Sequence, residues 1–220
     1  LSQAHFEMLS SLKTLTKSGF DSPEEVYDRT EMPFEDRAFI VAAYRRFEQF
    51  RQQYRWRFFD DQIYDTACAL QNDPGLWDLF RGRFDQIQVD EFQDISEVQM
   101  SIVEGLAGPN TTVVAVGDLN QSIYSFRGSA PRFIRSEFEA RFAPCTRFPL
   151  NTTFRYGDEL ALVANHLIGN NKDRDDTLTI AADGNPDTIV ELAKPVKGRN
   201  PTIIDHLKLR QASGTLSDVA

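Results

Sequence analysis

IQVDEFQD, residues 87–94, runs from an apolar segment straight into a cluster of acidic and amide side chains. Charges this close repel one another and resist burial. A short strand over Ile87, Gln88 and Val89 resolves the conflict if its end lies at the mouth of a sheet. There the carboxylates stay wet and can hold a cation.

The flanking segments fit that reading. Val98, Ile102, Val103 and Leu106 recur at helical spacing, and Gly108, Pro109 and Asn110 close the helix. Residues 113–116 form a second β-branched run that ends in Gly117 and Asp118. A helix is predicted around residues 133–142, then a short strand near Phe148, then a helix over residues 158–168. Strand alternating with helix predicts an α/β fold with a parallel sheet flanked by helices. The acidic cluster and Asp118 then fall at the carboxyl ends of strands, where such sheets bind ligands.

The first third reads as helical. Ser22, Pro23 and Glu25 supply an N-cap, a first-turn proline and a capping-box acid. Ile40, Tyr44, Phe47 and Tyr54 recur at helical spacing, and the interleaved Arg45, Arg46, Glu48 and Arg51 are read as a solvated face. Phe59, Ile63, Ala67 and Leu70 predict another apolar stripe, stopped at residues 72–75. After Gly169, GNNKDRDD reads as a flexible loop. Residues 177–180 and 188–192 are candidate strands, and residues 202–209 a candidate short helix.

Composition excludes some classes. The 220 residues are 41% hydrophobic and 26% charged, with a formal net charge of −9. That balance argues against a nucleic-acid coat protein, though not against a motor with local contacts. No apolar run approaches the ~20 residues of a membrane helix. Cys68 and Cys145 stand far apart and are expected as buried free thiols of a reducing cytoplasm. The three histidines are scattered, and no His/Cys metal cluster is evident.

A strand ending in Asp-Glu is what a Walker-B site requires: the Asp holds Mg²⁺ and the next carboxylate orients or deprotonates a water. A plainer explanation is an acidic helix start, with Asp94 and Glu97 facing the helix dipole. It leaves Asp90, Glu91 and Gln93 unexplained. Two later segments decide between them: VGDLNQSIYSFRGS, residues 116–129, and LNTTFRY, residues 150–156. Together with VDEFQD and with RFFDDQIYDTA, residues 57–67, they resemble motifs II, III and IV of UvrD/Rep-like superfamily 1 DNA helicases. The resemblance covers roughly residues 39–168.

It implies a RecA-like sheet of the P-loop NTPase type with a helical N-terminal subdomain. It also implies residue roles. Asp90 would bind the Mg²⁺ of Mg-ATP, with Glu91 beside it as catalytic base. Gln121 would touch the γ-phosphate. Tyr124 and Phe126 would contact single-stranded bases, and Arg127 would link that segment to neighbouring structure. Arg155 would reach the γ-phosphate from a second domain, and Phe154 would lie against adenine. The physics is consistent with this, because phosphoryl transfer needs positioning and charge neutralisation, and aromatic rings grip bases without reading sequence.

The chain departs from the family pattern at residues 152–154, where Thr152, Thr153 and Phe154 replace two amides and a tyrosine. No GxxxxGK[ST] and no Gly-Lys dipeptide occurs. The expectation is therefore a piece of a longer ATP-dependent helicase that is inert alone. Residues 1–56 would be part of a helical insertion, 57–149 the second half of one RecA-like domain, and 150–220 the start of another. Partners would be single-stranded DNA or DNA with a single-stranded tail, with 3′-to-5′ polarity implied by the resemblance. The alternatives are a non-catalytic DNA-binding or assembly module and, more remotely, a Mg²⁺-dependent nuclease using Asp90, Glu91 and Asp94.

Overall fold

The computed structural model describes residues 2–30, 37–172, 174, 176–190, 208 and 212. The chain divides into two units, Leu1–Arg147 and Phe148–Ala220.

The first unit opens with helices α1 (Gln3–Ser18), α2 (Pro23–Arg29) and α3 (Arg37–Gln53). Ser22 starts α2 as expected: its Oγ accepts from the Glu25 N–H, and the Glu25 carboxylate accepts from the Ser22 N–H. The three helices enclose a core of Met8, Leu12, Val26, Tyr27, Ile40, Val41 and Tyr44.

Helix α4 (Phe59–Asn72) departs from its predicted stripe. Ala67 and Leu70 are buried, but Phe59 is 87% exposed and Ile63 is also exposed. The buried face is rotated to pass through Asp61. Lys17 of α1 and Arg51 of α3 turn it that way, lying 3.1 and 3.4 Å from the Asp61 carboxylate. Burial alone would raise the pKa of Asp61, but the Phe58 N–H and the Lys17 and Arg51 cations outweigh it and hold the pKa below its ordinary value. Arg51 also binds Glu48 and, through two nitrogens, Asp65. The predicted solvated face of α3 is therefore corrected at Arg51, which is buried because three carboxylates surround it.

Helix α5 (Pro74–Phe80) follows, capped by Asp73, whose side chain accepts from Gly75 N–H. Then β1 (Gln86–Val89), α6 (Glu97–Leu106) and β2 (Thr112–Ala115) form a strand–helix–strand unit. The strands are parallel, with Gln86 opposite Thr112 and Val89 opposite Ala115. Ile87, Val89, Val113 and Ala115 pack on Phe92, Ile95, Met100, Val103, Ala130 and Phe133. Gln86 and Gln88 point the other way and are exposed, while Val114 on that face is half-buried. The helix predicted near residues 133–142 opens as a π turn, Phe133–Glu137, and continues as α7 (Phe138–Arg141).

In the second unit, β3 (Thr152–Thr153) pairs in parallel with β4 (Ile180–Ala181), and α8 (Asp158–Gly169) joins them. No strand forms at Phe148, which is exposed; pairing begins at Thr152, where Ile180 N–H reaches Asn151 O. The strand expected over 177–180 shortens to β4. Residues 188–190 are not in a strand, and most of 202–209 lies outside the described residues. Cys145 is exposed and Cys68 half-buried, both free, which corrects the expectation of two buried thiols. The fold is thus α/β, mostly helical, with small parallel sheets.

Candidate functional site

The site lies where β1 and β2 end. Val116 N–H donates to Val89 O, and Phe92 N–H donates back to Val116 O, so the two strand-end loops leave the sheet side by side. A turn of 3₁₀ helix, Phe92–Asp94, follows β1, and another, Leu119–Gln121, follows β2.

Asp90 is exposed, and its carboxylate accepts the Glu91 N–H at 2.9 Å. Glu91 has left-handed backbone, φ 50° and ψ 43°. For a side chain with a Cβ that conformation costs roughly 1–2 kcal/mol, so neighbouring contacts must enforce it. One is the bond from Phe92 N–H to Val116 O. Another is Gln93, 1% exposed, whose Nε2 donates to Glu91 Oε2 at 2.6 Å. The Gln93 Oε1 accepts the Asp118 N–H at 3.0 Å. The amide therefore faces a carboxylate with its donor and an N–H with its acceptor, and neither a carboxylate nor a flipped amide could satisfy both. Asp118 continues the chain of bonds: its Oδ2 accepts from Gln121 Nε2 at 2.7 Å, and its Oδ1 from Asn120 N–H. Glu91, Gln93, Asp118 and Gln121 thus form one relay across the two loops.

Gly117 makes the relay sterically feasible. A Cβ there would lie 2.5 Å from Gln93 Oε1 and 2.9 Å from Ile134 Cδ1. Asp94 has a buried oxygen with no hydrogen-bond partner among the described residues. Burial, and secondarily the Glu91 charge, push its pKa above the ordinary carboxylate value.

Beyond Gln121, Tyr124 is half-buried and Phe126 is 64% exposed, their rings 6.0 Å apart and tilted by 53°. Phe126 is therefore not packed into the core of this unit. Arg127 lies over both rings, 5.0 Å from Tyr124 and 5.6 Å from Phe126. The segment contacts helix α1, and the next two residues fix it further to the rest of the unit. Gly128 (φ +85°) presses on the last turn of α1, where an added Cβ would meet Ser18 Oγ at 1.8 Å. Ser129 pairs with Ser96, the N-cap of α6. Phe154 and Arg155 stand at the end of β3 in the second unit, both exposed.

Residues 2–142 match the UvrD/REP helicase N-terminal domain. The chain belongs to that family. This UvrD/REP-family chain is 32% identical to the ATP-dependent DNA helicase UvrD2 of Mycobacterium tuberculosis over 136 residues, 60% of this chain and 19% of the relative. It is 28% identical to the ATP-dependent DNA helicase PcrA of Staphylococcus aureus over 167 residues, 76% of this chain and 22% of the relative. The chain spans about a fifth of the length of these relatives. No helix among the described residues is long and apolar enough to cross a membrane.

Sequence reasoning selected Asp90, Glu91 and Gln121 and missed what joins them. Gln93 carried a signal: it is an amide between Phe92 and Asp94 that no helix-start argument explains. Asp118 was recognised as a strand-end residue, but its bond to Gln121 was not. Gly117 was read only as the end of the second β-branched run.

Proposed function

We propose that this chain is part of an ATP-dependent DNA helicase that couples ATP hydrolysis to movement along single-stranded DNA, 3′ to 5′ as the family resemblance implies. The observation that carries the reading is the relay from Glu91 through Gln93 and Asp118 to Gln121. It joins a candidate base to a candidate phosphate sensor only three residues before Tyr124.

The donor set suits Mg²⁺. Asp90 and Glu91 offer oxygen ligands at a solvent-exposed strand end, and no three His, Cys, Asp or Glu side chains gather to hold a metal among the described residues. A cation held by one or two carboxylates and by phosphates is typical of Mg²⁺ sites. When bound, Mg²⁺ neutralises charge on the phosphates of ATP. Asp90 would hold it. Glu91 takes a proton from the attacking water on its carboxylate, while Gln93 keeps that carboxylate aimed and Gln121 approaches the γ-phosphate. Tyr124 and Phe126 grip bases through their π-faces. Arg155 would add charge at the γ-phosphate, and Phe154 would lie on adenine.

In this reading residues 1–56 are part of a helical insertion, 57–149 belong to a first RecA-like domain, and 150–220 begin a second. The working protein is cytoplasmic, and its substrate is single-stranded DNA or duplex with a single-stranded tail. These 220 residues alone should not turn over ATP.

The test is Glu91→Gln in the full-length protein. Removing a general base should cut turnover by about a hundredfold to ten-thousandfold, while Mg-ATP affinity survives because Asp90 remains. Normal steady-state turnover in the variant would remove Glu91 from the chemistry.

A further inference from the structure

The segment RRFEQFRQQYRWR, residues 45–57, carries five arginines and one glutamate in a chain of net charge −9. The structure divides these arginines into two groups. Arg45 is bound by Glu24, Arg51 is buried among carboxylates, and Arg57 pairs with Asp65. Arg46 and Arg55 make no ion pair among the described residues.

Three exposed rings are interleaved with them. Phe50, Tyr54 and Trp56 are 41%, 55% and 54% exposed. Phe50 and Tyr54 stack at 6.1 Å with an 11° interplanar angle, and Tyr54 and Trp56 at 5.4 Å with 27°. The Arg46 guanidinium lies 5.5 Å from the Phe50 ring. The backbone builds this column. Helix α3 sets Phe50 and Tyr54 one turn apart. The chain then reverses: Trp56 N–H donates to Arg51 O at 2.9 Å, and Arg55 N–H to Gln52 O at 3.2 Å. These are the two bonds of a Schellman motif, and its left-handed position is filled by Arg55 at φ 55°, where glycine is the unstrained choice. The reversal brings Trp56 back onto Tyr54.

A column of near-parallel rings in water, flanked by guanidinium groups without carboxylate partners, does nothing for the core of this unit. Its chemistry matches stacked bases on a phosphate backbone, because every base has a π-face and guanidinium groups pair with phosphate. We propose that Phe50, Tyr54 and Trp56 form a second single-stranded nucleic-acid platform. A base extends the column at Trp56, and Arg46 and Arg55 meet the flanking phosphates. This rests on the reading of the protein as one that acts on DNA, and it adds a contact surface separate from Tyr124 and Phe126.

The test uses the full-length protein and oligothymidylate. Trp56→Ala should weaken binding about five- to a hundredfold, Trp56→Phe should retain most of the affinity, and Arg55→Ala should lower the slope of log affinity against log salt by about one. An oligonucleotide carrying 5-iodouracil should photocrosslink to Tyr54 or Trp56. Phe126→Ala runs in parallel. If it weakens binding while Trp56→Ala, the salt slope and the crosslink show nothing, the second platform is wrong and the helicase reading stands. If neither variant alters binding, both fall. A Trp56→Ala protein that binds DNA normally but loses self-association or melts earlier would show a protein contact instead and overturn the proposal.

Discussion

Replacing Gln93 by Met keeps the length and volume of a buried side chain and deletes both of its hydrogen bonds. The bond to the Glu91 carboxylate is short, at 2.6 Å, and charge-assisted; such bonds contribute about 1.5–3 kcal/mol. The bond to Asp118 N–H, at 3.0 Å, is neutral and contributes about 0.5–1.5 kcal/mol. The two together anchor the loops by roughly 2–4.5 kcal/mol, less whatever the apolar thioether recovers on burial. Two measurements should respond. Hydrogen exchange at residues 116–121 should accelerate, because Asp118 N–H loses its acceptor. DNA-stimulated ATP turnover in the full-length protein should fall about ten- to a hundredfold, the equivalent of about 1.4–2.7 kcal/mol of lost positioning. In Gln93→Glu the introduced carboxyl can donate to Glu91 only when protonated, so this variant should be worse than Gln93→Met at pH 8 and improve as the pH falls toward 5. Unchanged exchange together with unchanged stimulation in Gln93→Met would show that the relay is incidental packing and carries no signal between the loops.

Two further substitutions probe the surroundings of the relay. Gly128→Ala combines a positive φ with a Cβ at 1.8 Å from Ser18 Oγ; it should destabilise by more than about 1 kcal/mol in thermal unfolding, and Ser18→Gly added to it should restore the part due to the clash. Asp94 has a raised pKa, so its contribution to stability is fully favourable below the ordinary value of 3.8 and is lost as pH rises through the elevated folded value. Asp94→Asn should therefore gain melting temperature relative to the parent at neutral pH and lose that advantage near pH 3, and a pH-independent difference would contradict the burial of Asp94.

What could be read from the residues alone was local in its physics. A cap foretold α2 and apolar spacing foretold α6, because both depend on side chains within a turn or two of one another. Two β-branched runs, each followed by acid, foretold a parallel pair with carboxylates at its mouth, because strand ends and the polarity of the next residues are neighbours in the chain. Glu91 was singled out for the same reason, whereas Gln121 was singled out only through the family resemblance. Tertiary structure decided everything that needs a partner distant in sequence. Asp61 faces inward because Lys17 and Arg51 arrive from two other helices, and that rotates α4 away from the stripe its apolar residues suggest. Arg51 looks like a solvated charge until Asp61 and Asp65 surround it. Gln93 gains its meaning only from Asp118, 25 residues later, and Gly128 only from Ser18, on a helix that closes 110 residues before it. Apolar periodicity reports how much a face would gain from burial; ion pairs and hydrogen bonds between segments decide which face is actually buried, because an uncompensated charge inside the protein costs more than an exposed ring.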